Sequence, residues 1–345
     1  MARLLLTRRV SPGEFLPMHS IAHFLRRIAP RGVSGTHQHG SRLDVDEAQT
    51  MWGAVLDGAV PDLELGALVA TLSFAGESVG EFLGLHRALA ARSVRLAPEL
   101  SRRAVSIPVY DIVPGEAIFS VLLALFLRRF DVPVLLHGTL ESCAIPSAAM
   151  LLRELGVLPC ATAADAERAL RSEGIAFVPA PMLSPAFASV LSLRTRLGAT
   201  SPAHLAALAW DPVATGAVRL VTVVPGTPTK SLGSFVAATQ GDALLLTWPS
   251  GETPANLALR PRIAVLANGL ESVAFESEAA HRAPYAEPRS SSGVASWIRD
   301  VVARKSPAPV PLVNLAAACV HASGAATDFT RAKAIVALQC GRVAA

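Results

Sequence analysis

No stretch of this chain is apolar for long enough to cross a membrane. The longest run, Ala117 to Leu127, is broken by Ser120 and stops at Arg128 and Arg129, far short of the roughly 20 residues a spanning helix needs. The N-terminal "MARLLLTRRV" places only a short apolar patch between arginines, too little for the core of a secretory signal, and residues 1–16 read as a flexible leader. The sequence therefore predicts a cytoplasmic protein with no membrane partner. Cysteine is sparse as well. Cys143, Cys160, Cys319 and Cys340 lie far apart, with no C-x-x-C pair and no histidine at zinc-finger spacing, which excludes the common structural zinc sites and suits small buried side chains in a reducing compartment. His37 and His39 form an isolated His-x-His without the further ligands that fix a metal's geometry, so no metal is expected there. No G-x-S-x-G nucleophile elbow occurs, which removes the commonest serine-hydrolase signature. Lysine is nearly missing: all but three of the 31 basic residues are arginine. A GC-rich genome would favour arginine everywhere, yet arginine is also the cation that grips phosphate with a fork.

What is present is apolar and folded. Hydrophobic residues make up 51% of 345, enough for one large core and a smaller second one. From Pro17 to about Arg92 the pattern is helical. "IAHFLRRI" has helical spacing, "DVDEAQTMWGAVLDG" opens on acids and closes on Gly58, "PDLELGALVATLSFAG" starts at Pro61, and "VGEFLGLHRALAAR" follows Ser78. After Pro98 short apolar strands alternate with helices. Strands are expected at Val105–Val109, Val132–Leu136, Ile175–Val178, Val218–Val224, Asp242–Leu246 and Arg262–Leu266. That succession predicts an α/β fold: a small N-terminal helical domain and a larger domain with a mostly parallel sheet flanked by helices. The segment from about 184 to 212 has no strand and reads as an excursion back to the helical layer. The expected division is a helical domain at 17–100 joined by about 184–212, and an α/β domain at 101–183 and 213–345.

Several of these stretches resemble the anthranilate phosphoribosyltransferase fold of glycosyltransferase family 3: "LDGAVPDLELGALVATLSFAGESVGEFLGLHRAL", "PVLLHG", "LLRELGV" and "LGATSPAHLAALAWDP". The resemblance runs from about Pro17 to Gln339 and is strongest to the bacterial DNA-binding, YbiB-like branch, through "GAVPDLELG", "LLALFLRRFDVPVLLHG" and "ASWIRDVVARKSPAPVPL". It implies a nucleoside phosphorylase/phosphoribosyltransferase-like architecture and a homodimer formed through the helical domain. In the family's enzymes a Gly-Thr-Gly-Gly-Asp turn after the first sheet strand cradles diphosphate with backbone N–H groups. Here "PVYDIVPGE" stands in its place, with bulky Tyr110 and the carboxylates of Asp111 and Glu116. The family's Lys-His-Gly-Asn-Arg becomes Leu136-His137-Gly138-Thr139-Leu140, which keeps the His-Gly turn alone. His137 is read as a turn histidine at a strand end or as a remnant ligand contact. The acidic pair that holds magnesium is reduced to Glu252, and the arginine of the anthranilate contact aligns with Thr200. The resemblance thus implies a phosphate site lost at Tyr110, Asp111, His137 and Gly138, with no catalytic residue, no cofactor and no metal.

The basic residues suggest what replaces it. Arg26, Arg27 and Arg31 end the first helix, the glycine-rich "PRGVSGTHQHGSR" follows, and Arg42 closes it; Arg102 and Arg103 precede the first sheet strand and extend the patch. Clustered cations are what a phosphate backbone requires. The expectation is a non-catalytic DNA-binding or other nucleic-acid-binding protein without sequence preference. In the branch it resembles, the loop after the first strand is basic, so with Asp111 and Glu116 here any basic groove is shorter or runs elsewhere. The alternative is a phosphoribosyltransferase or other glycosyltransferase with an altered substrate and a rebuilt phosphate site, which alone would need magnesium. A scaffold that kept the fold and lost both ligands is the third reading.

Overall fold

The structure is a computed structural model that describes residues 21–29, 31–33, 36–38, 40–75, 78–140, 146–198, 200–223, 229–239, 241–249, 252–278 and 290–340. The leader read at 1–16 lies outside the described residues. The chain begins with α1 (Ala22–Ile28), a short hairpin of β1 (Arg31–Val33) and β2 (Thr36–Gln38), and then α2 (Val45–Leu56), α3 (Asp62–Ala75) and α4 (Val79–Ala90). The hairpin falls in the stretch read from sequence as a plain loop, where three-residue strands leave no periodicity to see. α2 starts where it should: Asp44 accepts the Glu47 N–H and the Glu47 carboxylate accepts the Asp44 N–H, a complete capping box.

The sheet then builds through β3 (Val105–Val109), α5 (Glu116–Leu127), a single 3-10 turn at Arg128–Phe130, β4 (Val134–Gly138), α6 (Ala148–Glu154), α7 (Ala163–Ser172) and β5 (Ile175–Pro179). After α8 (Ala180–Leu183), α9 (Pro185–Leu197) and α10 (Pro202–Leu208) it resumes with β6 (Val218–Thr222), α11 (Thr229–Ala238), β7 (Ala243–Thr247), β8 (Arg262–Ala267) and β9 (Leu270–Phe275). Helices α12 (Ser291–Val302), α13 (Val310–Ala322) and α14 (Phe329–Cys340) close the chain. The seven strands lie in the order β5-β4-β3-β6-β7-β8-β9. Pairing is parallel from β5 to β7, and β8 and β9 add antiparallel. β9 was not expected from the sequence. Leu270 to Ser272 face solvent at the sheet edge, so the strand has no apolar alternation to announce it.

Every residue of β3, β4, β5 and β6 is buried, as a parallel sheet covered on both faces requires. Successive side chains alternate between two cores. Ile107, Leu136, Phe177 and Leu220 pack with α5, α6 and the C-terminal helices, while Leu135, Val178, Val221 and Leu245 face the core shared with the N-terminal helices. α5 is apolar on nearly every side and buried accordingly. Helix α9 packs against α2 and α3, and α10 against α4. Among the described residues no helix is long and apolar enough to cross a membrane.

Candidate functional site

At the carboxyl ends of the parallel strands, between the sheet and the α3 and α9 side, lies an open cleft of about 1430 Å³. Such a position is where α/β sheets bind ligands. The β3–α5 loop forms one wall. Asp111 turns it with a left-handed φ of 54°, and Gly115 turns it back with a φ of 77° before α5 begins. Gly115 is required for space as well: a Cβ there would lie 2.2 Å from the Ala255 backbone.

Tyr110 and His137 sit under this loop. The Tyr110 hydroxyl and His137 Nδ1 are 3.0 Å apart, and the His137 ring also meets Trp210 edge-on. His137 is fully buried inside β4. Burial pushes its pKa down to about 3, so the ring is neutral, and burial likewise raises the Tyr110 phenol. His137 is therefore a core side chain inside β4, behind Tyr110, rather than a turn residue at a strand end, and it does not line the cleft. Gly138 lets β4 run close to β3, since a Cβ there would meet the Val109 carbonyl oxygen at 2.0 Å.

Two carboxyl groups define the loop's chemistry. Glu116 is 3% exposed. Its Oε2 accepts the Ile112 N–H at 3.2 Å, with the Val113 N–H at 3.5 Å. Burial, aided by neighbouring Asp111, pushes its pKa up to about 8, so at neutral pH it is mostly a neutral acid. This changes the sequence-based picture, in which Asp111 and Glu116 both stand as carboxylates in place of the family's turn. Only Asp111 keeps its charge, with a pKa raised by burial to about 6 and partly held down by Arg194. Glu116 acts differently: it occupies backbone donors of the loop internally. Arg194, on α9, donates from Nη1 to the Asp111 carbonyl at 2.8 Å and lines the cleft. Sequence reasoning passed over it; its only signal was an arginine in the strandless excursion. Thr200 also lines the cleft, at the place where the family's arginine was sought.

The six arginines expected to form one patch divide into two groups. Arg27 reaches the Arg42 carbonyl at 3.3 Å and pairs with Glu47, while Arg42 pairs with Glu81 at 3.3 Å and donates to the Ala75 carbonyl. Arg26 is exposed beside them. Arg31 lies on β1, and its side chain is outside the described part. Arg102 and Arg103 stand at the other end of the sheet, before β3. Arg102 donates to the Phe130 and Asp131 carbonyls at 3.0 and 3.1 Å, and Arg103 pairs with Asp242. Among the described residues no group of three or more histidine, cysteine or acidic side chains is placed to hold a metal, and Glu252 is exposed.

A sequence profile of the glycosyl transferase family's helical bundle domain matches residues 37–93. The chain is 28% identical over 295 residues to the protein YbiB of Escherichia coli K12, spanning 85% of this chain and 92% of that one. It is 32% identical over 165 residues to the anthranilate phosphoribosyltransferase of Methylobacterium radiotolerans, a match covering 46% of each. Among solved structures, the anthranilate phosphoribosyltransferase of Thermus thermophilus superposes with a TM-score of 0.69 at 18% identity, covering 87% of this chain and 92% of that one. The Saccharomyces cerevisiae enzyme in complex with PRPP and Mg gives 0.60 at 12% identity, covering 86% and 88%. The chain has the anthranilate phosphoribosyltransferase fold and resembles its YbiB-like branch.

Proposed function

We propose that this protein binds nucleic acid through its phosphate backbone, without sequence preference and without catalysis, as a homodimer. The observation that carries the non-catalytic part is the Glu116 carboxyl taking the Ile112 N–H, with the Val113 N–H beside it. A diphosphate cradle at this loop would need those donors, and it would also meet the Asp111 carboxylate. Binding is supported by the arginines gathered at the C-terminal end of α1 and at Arg42, since clustered guanidinium groups match phosphate. The ion pairs of Arg27 with Glu47 and Arg42 with Glu81 leave Arg26 the more available cation and keep single-patch affinity modest. Pairing two protomers multiplies it. The dimer reading is supported by α3, an apolar helix on which Leu63 and Phe74 are each 81% exposed.

The test is fluorescence anisotropy with labelled single- and double-stranded DNA of unrelated sequences across a salt series. Sequence-blind binding that weakens steeply with salt is the expected result; no binding at low salt refutes the reading. The retained cleft and Arg194 favour one competitor, a glycosyltransferase with an altered substrate. Magnesium-dependent binding of phosphoribosyl diphosphate, measured by calorimetry, would establish that competitor instead.

A further inference from the structure

We infer that the protein carries a second cationic surface at the amino-terminal edge of the sheet, opposite the cleft, and that it binds a nucleic-acid phosphate backbone. This inference rests on the nucleic-acid reading above but uses different residues: Arg102, Arg128, Arg129, Arg304 and Lys305.

Three separate segments bring these cations together. Arg102, just before β3, is anchored on the Phe130 and Asp131 carbonyls, which places it beside the 3-10 turn that carries Arg128 and Arg129. Arg129 donates from Nη2 to the Gln339 carbonyl at 2.7 Å, at the end of α14, and lies over the Phe126 ring. Arg304 lies just beyond the end of α12, which packs against α5; burial lowers the Arg129 pKa, and the charge of Arg304 adds to that. Arg128, Arg304 and Lys305 are exposed.

Two features separate this cluster from scattered surface arginine. None of the five cations forms an ion pair among the described residues, in contrast to Arg27, Arg42 and Arg103. Arg102 and Arg129 are held by neutral carbonyls, which fix their positions without cancelling their charge. The acids nearest in sequence, Glu99, Asp131 and Asp300, pair with none of them. The second feature is Arg304 itself. It follows α12 with a left-handed φ of 63°, a position usually given to glycine, and Gly58, Gly174, Gly198 and Gly324 have such angles after other helices of this chain. An arginine there accepts backbone strain and puts a cation where glycine would put none.

The chemistry selects the partner. Guanidinium forks bind phosphate oxygens in pairs, and a row of them without competing acids suits a polyanion. A membrane surface would also call for an apolar face to insert, whereas Leu338, at 82% exposure, is the large exposed apolar side chain on neighbouring α14. The test compares the full-length protein with the triple variant Arg128→Gln, Arg304→Gln, Lys305→Gln, all at exposed positions, and with Arg26→Gln, Arg27→Gln as a probe of the other surface. Binding of a fluorescein-labelled 30-mer duplex is followed across a salt series. The triple variant should lower the slope of log K against log salt by about 2.7, at about 0.9 for each phosphate no longer neutralised. Failure of the unaltered protein to bind the duplex overturns the nucleic-acid reading as a whole. Binding by the unaltered protein with an unchanged slope in the triple variant overturns this surface alone. So does a variant that loses binding to phosphatidylserine vesicles while holding the duplex normally.

Discussion

Replacing Glu116 with glutamine should flatten the pH dependence of stability. In the folded protein burial raises the Glu116 pKa to about 8, against an ordinary value of 4.5. The unfolded chain loses this proton near 4.5, while the folded chain keeps it until about pH 8. The stability tied to the proton is therefore complete below 4.5 and is lost as the pH rises through 8. With about 1.36 kcal/mol for each pKa unit, the loss between pH 5 and pH 8 is roughly 3 kcal/mol. That is well above the ~1 kcal/mol of an ordinary hydrogen bond, so it should dominate this segment of the curve. Glutamine keeps an oxygen to accept the Ile112 N–H and has no proton to lose. Urea unfolding at pH 5, 6, 7 and 8 should show the original protein weakening by about that amount relative to Glu116→Gln. Asp111, whose pKa is raised to about 6, titrates in both proteins and leaves a shared slope at the acid end. Parallel curves for the two proteins would refute the reasoning and mean that Glu116 is ionised in the folded state.

Other substitutions examine the frame around the cleft and the assembly. Gly115→Ala should destabilise by at least 1–2 kcal/mol from its left-handed backbone alone, and by more because the new methyl meets the Ala255 backbone; urea midpoints measure it. Arg219 is 2% exposed and donates to the Ala209 and Val236 carbonyls and to Thr239. Arg219→Met should cost about 3 kcal/mol by taking the buried donor from the Ala209 carbonyl and the Thr239 hydroxyl oxygen, while the Val236 carbonyl keeps the Thr239 hydroxyl; a midpoint within error of the original would contradict that. Phe74→Asp should convert a dimer to a monomer in sedimentation velocity without loss of helical circular dichroism, and an unchanged sedimentation coefficient would place the dimer contact elsewhere.

Much of this fold was legible because parallel strands buried on both faces write themselves as continuous apolar runs. β3, β4 and β5 are such runs, each followed by a helix. β9 escaped because an edge strand facing solvent has no such signature. At the loop after β3, the residue types announced that glycine's close approach was missing, yet they did not show what Glu116 does. A carboxyl four residues after Ile112 reads as a charge in the sequence; only its burial under the loop turns it into a neutral acceptor. The arginines illustrate the same gap. Arg102 and Arg103 lie near the helical segment in sequence, but β3 runs away from them, so they end at the opposite edge from the cleft. Arg129 and Arg304 are 175 residues apart in the numbering and meet only because α5 and α12 pack together.

The central claim, nucleic-acid binding through phosphate contacts, is tested most directly by anisotropy titrations of the full-length protein with unrelated DNA sequences at several salt concentrations. The account predicts similar affinities for all sequences and a steep linear fall of log K with log salt, about 0.9 for each phosphate neutralised. Affinity that stays flat with salt, or no binding at the lowest salt, would contradict it.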